Sequence, residues 1–435
     1  MPLRVLPALL LAVLAGGLSP LTHAQSLDST CAEGGTTLSA VEFEGLDRTD
    51  AEFLRSFLKS QAGQSYDSTH TQSDVTTLSG MEPFRTARAT ARPVAPDSCV
   101  VEFSIREYEA RLPYVNFGGV TENFWFQVGG IDTNWLGRGY HFGVYYRYDR
   151  GHSFGLFQSM PYLFGRHWGL SYALDRLATT EPAFFGAQTV SYDVTRRSGT
   201  ALLRYDLLHS LGTGRTTALE FGGGLLWERY ERVASGPGPL DRRFQKYLLK
   251  ARLTHRRLDY DYHEWRGVAN RTKVQVIKTG GGAFNYWTVL NVFRGYLRPL
   301  PNVNWAVRLR TGLATNRRSP FVPFVLDNYI NVRGIGNTVA RGTAELTLNA
   351  EHRHTLATWA WGAIQGVGFA DVSAWRPGGA SLAALVEDEN TRALGGLGIR
   401  VHLRRVYPLT LRVDYGINPL SPQQRGLVLG VGQYF

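Results

Sequence analysis

The 435-residue chain is rich in glycine (48) and aromatics (21 Tyr, 22 Phe, 10 Trp), has 2 Cys and 3 Met, and is 43% apolar with a formal charge of +11. Two cysteines are too few for a metal framework and no His/Cys cluster has zinc spacing, so no metal and no other cofactor is expected. Lysine and arginine are interspersed with acids and aromatics rather than gathered into an arm, which argues against a nucleic-acid partner.

In chain order, Arg4 precedes an apolar run from Val5 to Leu18, followed by Pro20 and the small-residue stop Thr22-His23-Ala24. This pattern predicts a secretory signal over 1–24, removed after Ala24. The run falls short of the roughly 20 residues a spanning helix needs, and no later apolar stretch reaches that length. Residues 25–35 read as a short amino-terminal segment. In an exported compartment, Cys31 and Cys99 are candidates for a disulfide tying the start of the next domain to its last strand, with two reduced thiols as the alternative.

A small domain is expected over 36–108. Val41–Leu46 alternates as a strand, and Thr49-Asp50 starts a helix with Phe53, Leu54, Phe57 and Leu58 on one face. Gly63 ends it, and a second helical stretch follows near Thr71 to Leu78. Strands are read at Arg85 to Arg92 and Cys99 to Ile105, giving a β-α-α-β-β order in a segment large enough for one small core.

From Arg111 to Phe435 the texture changes to alternating segments of about ten residues separated by Gly, Asp, Asn and Pro turns. Phe124–Ile131, Tyr140–Tyr148, Ala218–Trp227, Trp305–Leu313, Leu394–Leu403 and Leu409–Tyr415 are examples. At roughly 20 residues per strand and turn, about 16 strands fit, and about 14 or 18 also would. In lipid every backbone donor and acceptor must pair internally, so the expected fold is a transmembrane antiparallel β-barrel behind one small α+β domain. The closing segment, Leu427 to Phe435, alternates to an aromatic end, with Leu427, Leu429, Val431 and Phe435 on one face and Gly426, Val428, Gly430 and Gly432 on the other.

This order resembles the BamA/TamA-type outer-membrane assembly family, whose β-α-α-β-β modules are called polypeptide-transport-associated (POTRA) domains. Asp132-Thr133-Asn134-Trp135-Leu136-Gly137-Arg138-Gly139 is similar to the family's turn after its second barrel strand, and Met160-Pro161-Tyr162-Leu163-Phe164-Gly165 to the end of its fourth. Val332-Arg333-Gly334-Ile335-Gly336 resembles the VRG[FY] motif on a loop that folds into the lumen, with Ile335 in the aromatic position. Ala350-Glu351-His352-Arg353 resembles the acidic position on the next strand. Phe369-Ala370-Asp371 matches part of a F-x-D-x-G-x-x-W strand, from which Ser373 and the early Trp375 depart. Gly432-Gln433-Tyr434-Phe435 is similar to the closing motif.

Two sets of candidate residues follow. Arg333 inside a lumen would be an expensive unpaired cation, whereas two inward carboxylates, Glu351 and Asp371, would match its planar guanidinium and hold the Arg333-Gly334 loop as a lock. A generic lumenal salt bridge is the plainer alternative. The working seam is expected between Leu112–Gly119 and Leu427–Phe435, with Tyr114, Gly118, Gly119, Gly430, Val431, Gly432 and Phe435 at it, because glycine weakens a strand. An opened strand, or the edge of the amino-terminal module, would template a client strand by β-augmentation. Alternatively, the glycines serve only close packing.

Gly151-His152-Ser153-Phe154-Gly155 fits the G-x-S-x-G pattern of a hydrolase but lies at a turn with no helix after it, so no enzyme is expected. The resemblance implies an outer-membrane factor, its module in the periplasm of a Gram-negative-type bacterium, that inserts barrel precursors or moves polypeptides. Its partners would be unfolded outer-membrane or secreted clients, lipid, and accessory periplasmic or lipoprotein subunits. A passive porin-like channel and secretion of one dedicated client are the alternatives.

Overall fold

The computed structural model describes residues 27–435 except 82, 119–123, 166, 186–187, 211–214, 234, 262, 281–284, 317–321, 337–338 and 404–408. The expected signal peptide and Gly119 lie outside the described residues. The amino-terminal module contains β1 (Leu27–Ser29), β2 (Thr37–Glu44), α1 (Ala51–Arg55), α2 (Ser68–Ser79), β3 (Phe84–Ala95) and β4 (Ser98–Glu107). Its sheet runs β1-β3-β4-β2, with β3 and β4 antiparallel and the outer pairings parallel.

Both helices begin at an aspartate. Asp50 accepts from Phe53 N at 2.7 Å, and Asp67 accepts from Thr69 N at 2.7 Å and His70 N at 3.3 Å. These bonds satisfy amide donors that a helix start leaves open. The Thr69 hydroxyl's hydrogen bond also holds the Asp67 carboxyl below the usual carboxylate range. α1 ends at Arg55, earlier than expected, because Asp74 accepts from Lys59 N and Ser60 N at 2.8 Å and turns the chain. Leu54, Phe57 and Leu58 still enter the core beside Val75, Leu78 and Phe103.

Residues 27–35 of the amino-terminal segment join the module's sheet. Leu27–Ser29 lies along β3, in register with Ala89, Thr90 and Ala91, and Thr30 N donates to Ala91 O at 3.0 Å. Three residues are too short for alternation to reveal them as a strand. Cys31 and Cys99 form a disulfide with Cα atoms 6.3 Å apart, stapling β1 beside the sheet. The β3 edge is therefore partly occupied by the chain's own segment, which limits where a client strand would add to the module.

The remaining strands are β5 (Arg111–Gly118), β6 (Trp125–Trp135), β7 (Tyr140–Tyr148), β8 (His152–Met160), β9 (Trp168–Phe185), β10 (Gln188–Ser210), β11 (Arg215–Arg232) and β12 (Asp241–Asp261). They continue as β13 (Glu264–Thr279), β14 (Tyr286–Leu300), β15 (Val303–Ala314), β18 (Ala344–Trp359), β19 (Gly362–Arg376), β20 (Thr391–Leu403), β21 (Thr410–Ile417) and β22 (Arg425–Val431). A two-stranded hairpin, β16 (Phe324–Leu326) and β17 (Ala340–Gly342), sits inside the long loop between β15 and β18. The other sixteen strands form one antiparallel sheet from β5 to β22, closed where β22 comes alongside β5.

Alternation sets the two faces. Leu174, Phe221, Leu249, Leu397 and Ile399 are exposed on the outside, Leu397 at 74%, while charged residues on the same strands point inward. An apolar belt of this extent requires lipid as its solvent. No helix among the described residues is long and apolar enough to cross a membrane. Strand length is uneven: β10 has 23 residues and β12 has 21, against 8 in β5 and 7 in β22. The wall is lowest where the sheet closes.

The module is fastened to one end of the barrel. Asp50 N donates to Gly137 O at 2.9 Å, Asn134 Nδ2 to Thr49 Oγ1 at 2.8 Å, and Arg48 pairs with Asp132 at 2.7 Å. Gly137, at φ +69°, could not carry a side chain, since its Cβ would lie 2.4 Å from Arg48 O. Tyr162 packs on Phe53 and Phe57 with ring centroids 6.1 and 5.1 Å away. The two motifs that resemble family turns are thus the parts of the barrel that hold the module.

Candidate functional site: a lumenal lock beside a thin seam

Arg333, on the long loop, is fully buried inside the barrel. Its Nε donates to Asp371 Oδ2 and its Nη2 to Asp371 Oδ1, both at 2.8 Å, a bidentate pair that fits the guanidinium plane. The Arg333 backbone N also donates to Asp371 Oδ2 at 3.0 Å, and Asn349 Nδ2 to Asp371 Oδ1 at 2.7 Å, so both oxygens of the carboxylate carry two bonds. Arg333 Nη1 donates to Glu351 Oε1. The guanidinium lies 3.7 Å from the Phe369 ring centroid and 4.3 Å from that of Tyr434.

The network extends beyond the three residues legible in the motifs. Arg353 Nε donates to Glu351 Oε2 at 2.7 Å, and Arg400 holds Asp414 through Nη1 at 2.6 Å and Nη2 at 3.1 Å. Arg400 lies 3.6 Å from Glu351, and Arg333 lies 3.7 Å from Asp414. Three guanidiniums thus meet three carboxylates from β18, β19 and β21, all six side chains fully buried. Balanced charge and dense hydrogen bonding offset the large cost of desolvating these ions. The missed residues had a sequence signal: Arg400 and Asp414 alternate with apolar residues on predicted strands, Leu394–Leu403 and Leu409–Tyr415, and charges there must line the lumen.

Glycines give the loop tip its seat. Gly334 has φ +87°, and a Cβ on it would lie 2.7 Å from Gly416 O; a Cβ on Gly416 would lie 2.3 Å from Arg333 O. Gly416 pairs with Gly426 across β21 and β22, so the tip rests on two bare backbones. Ile335 packs against Leu326, Val332, Ala340, Trp375 and Leu394, an apolar cluster beside the lock. Ser373, where the resemblance leads one to expect glycine, shares a 2.7 Å hydrogen bond with Thr347. At the other side of the lumen, Arg341 of β17 pairs with Glu181 of β9.

The closing segment departs from the expected continuous strand. β22 stops at Val431, Gly432 adopts φ +87°, and Gln433-Tyr434-Phe435 turn inward. Phe435 was expected with the lipid-facing residues; instead it is buried with Tyr434, Leu258, Tyr296 and Ala306. Arg353 Nη2 donates to Phe435 O at 3.3 Å, and Tyr434 OH donates to Asn328 O of the loop at 3.1 Å. The left-handed turn at glycine breaks the alternation, which sequence periodicity alone does not foresee.

At the seam, each described strand pairs with a neighbour on its inner side only. β5 is laddered to β6 and β22 to β21, and no β5–β22 ladder exists among the described residues. Val431 N donates to the Asn116 side-chain Oδ1 at 2.9 Å across the gap. Tyr114 and Gly118 lie in β5 as expected. Gly430 faces Arg412, and a Cβ there would lie 2.9 Å from the guanidinium Nε, so this glycine makes room for a cation.

The hydrolase-like Ser153 is buried in β8, where its hydroxyl donates to Ala178 O at 3.1 Å and accepts from Ala178 N at 2.9 Å. Both of these bonds are to backbone atoms, and the residue sits within a strand rather than at the strand-to-helix elbow of that motif.

No protein-family model and no curated protein matches the sequence. Solved structures do match its shape. BamA from Haemophilus ducreyi, lacking POTRA domains 1-3, aligns with 91% of this chain and 83% of its own at TM-score 0.60 and 14% identity. CdiB from Escherichia coli aligns with 91% and 76% at TM-score 0.62 and 13% identity. CdiB from Acinetobacter baumannii aligns with 91% and 74% at TM-score 0.59 and 11% identity. At such identities the likeness is one of fold, and by fold the chain is a sixteen-stranded β-barrel of the BamA and CdiB kind.

Proposed function

We propose that this chain is an outer-membrane protein that inserts or translocates polypeptides through the seam between β5 and β22, with its amino-terminal module on the periplasmic side. The absence of a β5–β22 ladder among the described residues carries this reading. Two unpaired strand edges in a low part of the wall are templates for an incoming strand. The lock supports it: the ion pairs that hold the loop come from β18, β19 and β21, so they brace the barrel without drawing on a charged residue of β5 or β22. The burial of Tyr434 and Phe435 supports it as well, because the inward turn at Gly432 ends β22 at Val431 and keeps that seam strand short.

Site-specific photo-cross-linking in living cells tests the proposal, with the probe at Asn116 and, separately, at Val431. Adducts with many unfolded barrel precursors mean assembly, and a single large secreted polypeptide means dedicated secretion. Only an internal β5–β22 adduct, under conditions of active export, would reduce the protein to a passive channel.

A further inference from the structure

The lumen has a second charged surface, opposite in character to the lock. β12 turns Leu249 and Leu253 outward, so alternation sets Lys250 and Arg252 inside; β13 turns Val274 and Val276 outward and sets Arg271 and Lys273 inside. Arg252 stands directly across from Lys273, and Arg294 of β14 directly across from Arg308 of β15. Like charges opposed in a ladder destabilise it.

Most nearby acids are already in ion pairs, and Asp175, whose charge reaches Lys250, accepts from Tyr145 OH at 2.6 Å without pairing directly with the lysine. Glu220 pairs with Arg252 at 3.1 Å, Glu228 with Arg196 at 2.8 Å and with Lys246, and Glu345 with Arg310 at 2.6 Å. Among the described residues, Lys250, Arg271, Lys273 and Arg294 have no ion pair, and the buried Nε of Arg294 has no hydrogen-bond partner. The register partner of Lys250 on β11 is Gly222, so that neighbour adds no side chain over the lysine. All four cations keep part of their surface open although they face inward.

We propose that Lys250, Arg271, Lys273 and Arg294 form a binding wall for an extended acidic polypeptide segment inside the lumen. The proposal rests on the reading that polypeptides enter this barrel. Same-face cations two residues apart on a strand repeat about every 7 Å, the interval at which an extended chain presents alternate side chains. The cations are spread along strands rather than converged on a point, which fits an Asp/Glu-x-Asp/Glu stretch better than a single phosphate.

The test is fluorescence anisotropy on the purified full chain in detergent, with labelled peptides of alternating Glu-Thr, Gln-Thr and Lys-Thr, and inorganic phosphate as competitor. The Glu-Thr peptide is expected to bind about tenfold or more tighter than Gln-Thr. The K250Q/R271Q/K273Q variant is expected to lose that preference, and K278Q, on the outer face, to keep it. Removing like charges should leave the barrel folded, which heat-modifiable gel mobility checks; if the triple variant does not fold, K273Q alone is used and a weaker preference is expected. Equal binding of the three peptides, or unchanged binding by the variant, overturns the proposal, as does displacement by phosphate at an equal concentration of charge. Binding to the wall without client adducts at Asn116 or Val431 would retain the wall and reject the seam, and the converse would reject the wall alone.

Discussion

Two walls of one lumen treat charge in opposite ways. On β18, β19 and β21, Arg333, Arg353 and Arg400 meet Glu351, Asp371 and Asp414 in full burial. On β12 to β14, four cations face the lumen without an ion pair among the described residues. Fully buried ions need partners that replace water, as the six groups of the lock supply for one another, whereas part-exposed ions stay hydrated and can remain unmatched at modest cost. The first wall is therefore built to hold one loop in one place, and the second to remain available. The Tyr434 ring gathers further cations beside the lock, with Arg333 4.3 Å, Arg412 4.9 Å and Arg308 4.9 Å from its centroid.

The largest expected effect breaks the first wall. Arg333→Ala leaves Asp371 and Glu351 buried beside an empty site and should cost about 3–5 kcal/mol, read as loss of the heat-resistant folded band. A fully folded, equally resistant Arg333→Ala barrel would mean that water replaces the guanidinium. Gly334→Ala should cost about 1–3 kcal/mol, through the positive φ and the collision with Gly416, with a lowered unfolding midpoint as the measurement. Tyr434→Leu, which removes the ring that three guanidiniums share, should cost about 0.5–2 kcal/mol by thermal melting.

The smallest effect has the opposite sign and sharpens the contrast. Each like pair relieved in the second wall, as in Lys273→Gln, should raise stability by about 0.2–1 kcal/mol in chemical denaturation. Added salt should stabilise the unsubstituted chain by screening that repulsion and do less for Lys273→Gln, while the buried lock responds little. A salt response that Lys273→Gln leaves unchanged would show that the wall is already neutralised.

Several of these features were legible before any coordinates. Alternation of Leu427 with Val428 assigns faces from period two alone, and the motifs around Arg333, Glu351 and Asp371 name the cation and two of its acids. Other features were hidden for physical reasons. Arg400 and Asp414 join the lock only because β20 pairs with β19 and β21 pairs with β20 in the sheet. Gly416 and Gly426 matter through a loop that arrives from roughly a hundred residues earlier in the sequence, a long-range closure with no local trace.

The sequence by itself determined a module followed by a barrel, because apolar periodicity records which side of each strand meets lipid. Tertiary structure decided the rest. It set β1 on the module's edge, turned Phe435 from the lipid face into the lumen at one left-handed glycine, and left β5 and β22 unladdered among the described residues. Pairing between distant strands and the direction of a single flexible residue depend on the closed whole, and neither leaves a pattern in the neighbouring residues.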